Sequence, residues 1–121
     1  LVSEGAYTNV AIVKDGTLVT CPLDDGAAPV LHGTMRCWML EAARAAGVPA
    51  DVRRIRAEEL ATADEVLVQS SRRLVSAVTY LDGTPVAGGR ATPGPVCRAL
   101  FAAMHARIAR AVHATTAAAK P

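Results

Sequence analysis

Three short stretches carry the residue types that could do chemistry. The first is Leu1-Val2-Ser3-Glu4-Gly5-Ala6-Tyr7-Thr8-Asn9, where an acid and a glycine open an alternating apolar run. A carboxylate beside a short apolar strand can hold a protonated ring nitrogen; a plain surface acid at a strand entrance is the simpler alternative. The second is Gly33-Thr34-Met35, where a loop meets the start of a helix. Free backbone N–H groups and the positive end of a helix dipole make an anion site there, and glycine lets the backbone approach an anion closely. The same residues also serve many helices simply as an N-terminal cap. The third is Ser70-Ser71, followed at once by Arg72-Arg73. Two hydroxyls at the end of a strand can hold a phosphate or a carboxylate, or can form an ordinary turn. Guanidinium groups suit bidentate binding of carboxylates, and a solvated pair is the alternative. His32 stands beside the anion turn and could contact a ligand, whereas His105 and His113 lie near the polar side of the last helix.

The elements that must position these residues follow from pattern. Residues 7–13 and 17–20 read as strands paired around Asp15-Gly16, a strong hairpin signal. Residues 21–33, with Pro22, Asp24, Asp25, Gly26, Pro29 and Gly33, read as a loop. A helix is expected from Thr34 to Ala46, with Gly47 as its stop. A short strand over 52–56, a helical turn over 57–61 and a buried strand over 65–69 come next. Residues 75–80 and 84–87 read as a second hairpin around Asp82-Gly83, and Gly88-Gly89 with Pro93-Gly94-Pro95 read as a loop. The last helix is expected over 96–112, with Val96, Leu100, Met104, Ile108 and Ala111 on one face, and 113–121 as a frayed tail. The mixture predicts an α+β fold of β-hairpins packed with helices, without a βαβ repeat.

Bulk properties narrow the function. A chain of 121 residues makes one domain with one core. Apolar residues make up 51 % and aromatics only 3 %, so core contacts come mainly from alanine, valine and leucine. The net charge of +2, with no interleaved aromatic and basic residues, argues against nucleic acid. Cys21, Cys37 and Cys97 are odd in number and widely spaced, which argues against zinc and disulfides and for reduced thiols in the cytoplasm. There is no signal peptide pattern and no apolar run of membrane-spanning length. The chain opens inside a sheet without an initiating Met, which suggests a piece of a longer polypeptide.

Taken together, these segments resemble the class IV aminotransferases, the fold type IV pyridoxal-phosphate enzymes. Ser3-Glu4-Gly5-Ala6-Tyr7-Thr8-Asn9-Val10 is similar to that family's glutamate-glycine-asparagine strand. Val30-Leu31-His32-Gly33-Thr34-Met35-Arg36 is similar to its phosphate turn, and Ala63-Asp64-Glu65-Val66-Leu67-Val68-Gln69-Ser70-Ser71 to its Ala-Asp-Glu-Val strand and following hydroxyl pair. Leu81-Asp82-Gly83 and Gly94-Pro95-Val96 complete five matches in order over residues 1–112. The resemblance implies the C-terminal, cofactor-binding domain of the fold, with the N-terminal domain absent from this chain. It implies pyridoxal 5'-phosphate as cofactor, with Glu4 on the pyridine nitrogen, Asn9 bracing the glutamate strand, and the amides of Thr34 and Met35 after Gly33 on the phosphate. Ser71 would add a hydroxyl to that phosphate, with Ser70 nearby, and the Arg72 amide would lie near the substrate carboxylate; from residue type and position, Arg72, Arg73 and His32 are the expected substrate contacts.

The sequence departs from the family pattern in ways that bear on function. Thr34-Met35 stands where isoleucine-threonine is usual, which removes a hydroxyl and keeps the amide. His32 replaces a common proline, and Leu74 an acid common in the transaminases. The family's Schiff-base lysine lies upstream of the glutamate strand, and neither Lys14 nor Lys120 can take its place, so no catalytic residue is expected within this chain. The leading expectation is an aminotransferase that moves an amino group between an amino acid and a 2-oxo acid. Ser70-Ser71-Arg72-Arg73 is also similar to a segment of the aminodeoxychorismate lyases, which release 4-aminobenzoate and pyruvate. A non-catalytic ligand-binding or assembly domain of the same fold is the third expectation. A homodimer is implied by the family, and the missing half is expected as another chain or as a lost segment.

Overall fold

A computed structural model describes the chain except for residues 24, 25, 27, 28, 87, 88, 90, 91, 120 and 121. Its centre is the hairpin of β2 (Thr8–Lys14) and β3 (Thr17–Thr20), turned at Asp15 and Gly16, both at positive φ. Such angles suit the two-residue loops that match strand twist. The carboxylate of Asp64 accepts a hydrogen bond from the Asp15 amide at 2.8 Å and so fastens the turn. Asp64 leads into β5 (Glu65–Ser70), which pairs antiparallel with β2 on its other side, Val13 opposite Glu65 and Asn9 opposite Gln69. Outside β5 lies β6 (Leu74–Ala77). On the far side of β3 lies β4 (Ala50–Val52), and the tiny β1 (Glu4–Gly5) pairs with the start of β2.

Pleating divides the side chains between two apolar layers. Ala11, Val13 and Leu67 face α1 (Thr34–Ala45) and α3 (Pro95–Ala119), against Met35, Met39, Ala43, Leu100 and Met104. Ile12, Val19 and Val66 face the opposite way, against Val30, Ile55, Val86 and the flank of α2 (Ala57–Thr62) through Leu60. The architecture is α+β, as expected. Helix α1 exposes one face and buries Met35, Met39, Ala42 and Ala43 at helical spacing. It is stopped by Gly47 at φ 71°. The start of α3 is capped from the sheet: the buried carboxylate of Glu65 accepts the amide hydrogens of Val96 at 3.1 Å and Cys97 at 3.2 Å.

Three expectations need correction. The strand placed at 52–56 is β4 at 50–52, because its partner is the parallel strand β3 (Leu18 opposite Ala50) and beyond Val52 only Ile55 makes a bridge, to Val2. Thus β3, α1 and β4 form one βαβ unit, which alternation along the chain did not reveal. The strand placed at 75–80 is two strands: 74–77 pairs with β5, while the Asp82-Gly83 turn joins only β7 (Tyr80–Leu81) to β8 (Thr84–Pro85). Helix α3 starts at Pro95, a favoured first position, and runs past 112 to Ala119, carried by its alanine content. The expected loop at 21–33 and that around Gly88-Gly89 fall partly outside the described residues, as does Lys120.

Candidate functional site

The ends of β1, β2 and β5 and the start of α1 enclose a cleft of about 310 Å3. Glu4, Asn9, His32, Gly33, Thr34, Met35, Ser70 and Ser71 all line it. The two carboxamide-bearing positions of its floor face each other across the sheet, Asn9 on β2 and Gln69 on β5.

Each side chain is set by the element that carries it. Glu4 lies on the two-residue strand β1, opposite Asn9. One of its carboxylate oxygens, Oε2, accepts hydrogen bonds from the Leu31 amide at 2.8 Å and from Asn9 Nδ2 at 3.3 Å. Asn9 Nδ2 also donates to the Leu31 carbonyl at 3.0 Å. Leu31 therefore clips the loop before α1 to the glutamate strand through both of its backbone groups. Gly33 closes this junction: a Cβ there would run into Asn9 Oδ1. Its amide donates to the Leu31 carbonyl at 2.8 Å, so the chain turns tightly into α1.

Helix α1 begins at the cleft with no side-chain cap and no acid in its first turn. The first N–H groups of any α-helix lack acceptors within the helix, so Thr34 and Met35 bring donors and the positive dipole end to the cleft wall. Ser70 ends β5 and Ser71 begins the turn to β6, which puts the hydroxyl pair on the same cleft. Gln69 lies beneath, 1 % exposed, and neither Oε1 nor Nε2 of its carboxamide has a hydrogen-bond partner among the described residues. The His32 ring lies 2.9 Å from the Cys37 thiol one turn into α1.

Arg72 and Arg73 are not in this cleft. They line an adjoining concavity of about 820 Å3 with Tyr7, Thr8, Val68 and the same two serines. Lys14 ends β2 at its far end from Asn9, five residues and roughly 17 Å along the strand. Sequence reasoning missed Leu31, whose contribution is wholly main-chain, and Gln69, which reads as one more residue of a buried strand. It also read Glu65 as strand and not as the cap of α3.

A carboxylate held by two donors, an uncapped helix start and a hydroxyl pair on one wall define an anion-and-cation site of mixed polarity at a sheet's end. Residues 1–81 match the family model of the class IV amino-transferases, and the chain belongs to that family. Among its relatives, D-alanine aminotransferase of Listeria monocytogenes serotype 1/2a (strain 10403S) is 33 % identical over 92 residues, covering 76 % of this chain and 31 % of the relative. D-alanine aminotransferase of Staphylococcus aureus (strain COL) is 33 % identical over 99 residues, 82 % of this chain and 33 % of the relative. Among solved structures, the branched-chain amino acid aminotransferase from Escherichia coli superimposes with a TM-score of 0.74 at 31 % identity, over 82 % of this chain and 32 % of that one. A T.th. branched-chain amino acid aminotransferase solved with pyridoxamine 5'-phosphate gives a TM-score of 0.75 at 28 % identity, over 86 % of this chain and 33 % of that one. The chain thus spans about a third of the length of the proteins it matches.

Proposed function

We propose that the polypeptide to which this chain belongs is a pyridoxal-phosphate-dependent aminotransferase, moving an amino group between an amino acid and a 2-oxo acid. The observation that carries the reading is the convergence of Glu4, the α1 start and Ser70-Ser71 on one cleft. The residues present fit the cofactor's two ends. An anion meets the uncapped amides at the start of α1 and the Ser71 hydroxyl, with Ser70 beside it; a protonated ring nitrogen meets Glu4. Bound there, the cofactor supplies a conjugated electron sink for cleavage of bonds to the amino acid's α-carbon.

This chain's part is binding, orientation and charge. Glu4 holds a proton on the ring nitrogen, and Asn9 with the Leu31 amide holds Glu4. Arg72 and Arg73 offer guanidinium groups to a substrate carboxylate from the adjoining concavity, and His32 stands at the cleft's edge. The lysine that takes and returns the proton comes from outside this chain. Dependence on a 2-oxo acid acceptor tests the reading: full-length protein with the cofactor converts an amino donor only when an acceptor is supplied. D-alanine and branched-chain amino acids both belong in that panel, because relatives of both names match the chain.

A second reading is favoured by one observation, the two arginines in the concavity beside the hydroxyl pair. They suit a substrate with more than one carboxylate, as in aminodeoxychorismate lyase. Release of pyruvate and 4-aminobenzoate without any acceptor would select it. If the full-length protein captures the cofactor but turns over neither kind of substrate, a binding or assembly role on the same scaffold is left. A homodimer is the expected assembly, checked by light scattering of the full-length protein.

A further inference from the structure

Among the described residues, Gln69 stands out. It is 1 % exposed, and both polar atoms of its carboxamide are buried without a partner among the described residues. A carboxamide offers two donors and an acceptor, and leaving them unmade in the interior costs stability. Leucine or methionine of similar size would avoid that cost. Position does not explain the amide either: along β5 it shares a sheet face with the apolar Leu67, on the side packed against α1 and α3.

Its surroundings do explain it. Across the sheet stands Asn9, whose amide is engaged with Glu4 and Leu31 and so has no donor to share. Next along the chain come Ser70 and Ser71, and above lies the uncapped start of α1. Gln69 is one of the residues that line the cleft, and its partnerless amide lies buried behind that lining, next in the chain to the two serines. We propose that Gln69 is a cofactor-positioning residue: its Nε2–H donates to an oxygen of the bound cofactor's phosphate, which joins the floor of the cleft to the α1 amides on its wall. This rests on the pyridoxal-phosphate reading above, and it adds a ligand that neither the family motifs nor the strand pattern indicates.

The test uses the full-length protein, stripped of cofactor, with pyridoxamine 5'-phosphate and inorganic phosphate as titrants. For Gln69→Leu the melting temperature of the stripped protein should equal or exceed that of the parent, because a buried orphan is removed. Its dissociation constant for pyridoxamine 5'-phosphate should rise about 10-fold, and that for inorganic phosphate in proportion, the loss of one hydrogen bond to a charged group. Gln69→Met serves the same comparison if the leucine variant does not fold. Affinities within twofold of the parent would overturn the proposal, and so would a fall in stability of the stripped protein that parallels the fall in affinity. A parent that binds pyridoxamine 5'-phosphate while the variants bind it equally well overturns the role of Gln69 alone. A parent that binds neither titrant overturns the cofactor reading as well.

Discussion

Glu4 carries the negative charge of the cleft, and its braces are neutral: a backbone amide and a carboxamide. Glu4→Gln keeps the acceptor for Leu31 and removes the charge. Steady-state kinetics of the full-length protein should show kcat lowered by ~100-fold or more, the scale on which a preorganised electrostatic partner acts, with a smaller change in cofactor affinity. A different carboxylate, Glu59, links stability to pH. Glu59 is 15 % exposed at its side chain and pairs with Arg53 at 2.8 Å, while also accepting the Arg56 amide at 2.9 Å. The hydrogen bond from Arg53 holds its carboxyl down at about 2, with the Arg56 amide adding to the effect. The ionised form is favoured by folding, so the stabilisation is complete above the ordinary carboxylate range and is lost as pH falls through the folded value. Glu59→Gln should lower stability by only about 0.5–1 kcal/mol at pH 7, since the Arg53 side chain is 39 % exposed and water screens the pair. In denaturant titrations the gap from the parent should close between about pH 4.5 and 2.

At the scale of elements, the Asp64-Glu65 pair serves as structural fastening. Asp64 holds the β2–β3 turn, and Glu65 caps α3 across the sheet. Burial and the nearby Glu65 charge together push the Cys97 thiol up to about 11, burial being the larger cause. Glu65→Ala should cost about 2–4 kcal/mol in urea unfolding, because one buried and one part-buried amide lose their charged acceptor, and α3 should show the loss in helical ellipticity. How much of this was legible depended on how local the signal is. The Asp15-Gly16 and Asp82-Gly83 turns, the Gly47 stop and the run of helix formers in α1 are written within a few residues and agree with the structure. The shift of β4 was not readable, since its register is set by a parallel partner some thirty residues away. The cleft residues Glu4, Gly33, Thr34 and Ser71 stand out in the sequence because acid, glycine and hydroxyls interrupt apolar runs. Leu31 could not stand out, because peptide groups have no letter of their own.

For the molecule as a whole, the cleft is assembled from three stretches, and the only described lysine lies at the opposite end of β2 from it. Treatment of this chain with one equivalent of pyridoxal phosphate and borohydride should leave Lys14 unlabelled in a peptide mass map, whereas the full-length protein should take the label on a lysine outside residues 1–121. Tyr7 and Leu31 flank the cleft 92 % and 72 % exposed. Exposed side chains of that kind beside a cleft mark a surface suited to contact with a further segment or partner. Convergence of distant stretches has a consequence in time. Loop closures of tens of residues must precede any grip on an anion, so after a denaturant jump ellipticity should return first and quenching of ligand fluorescence only later, at a rate that every stretch has to wait for.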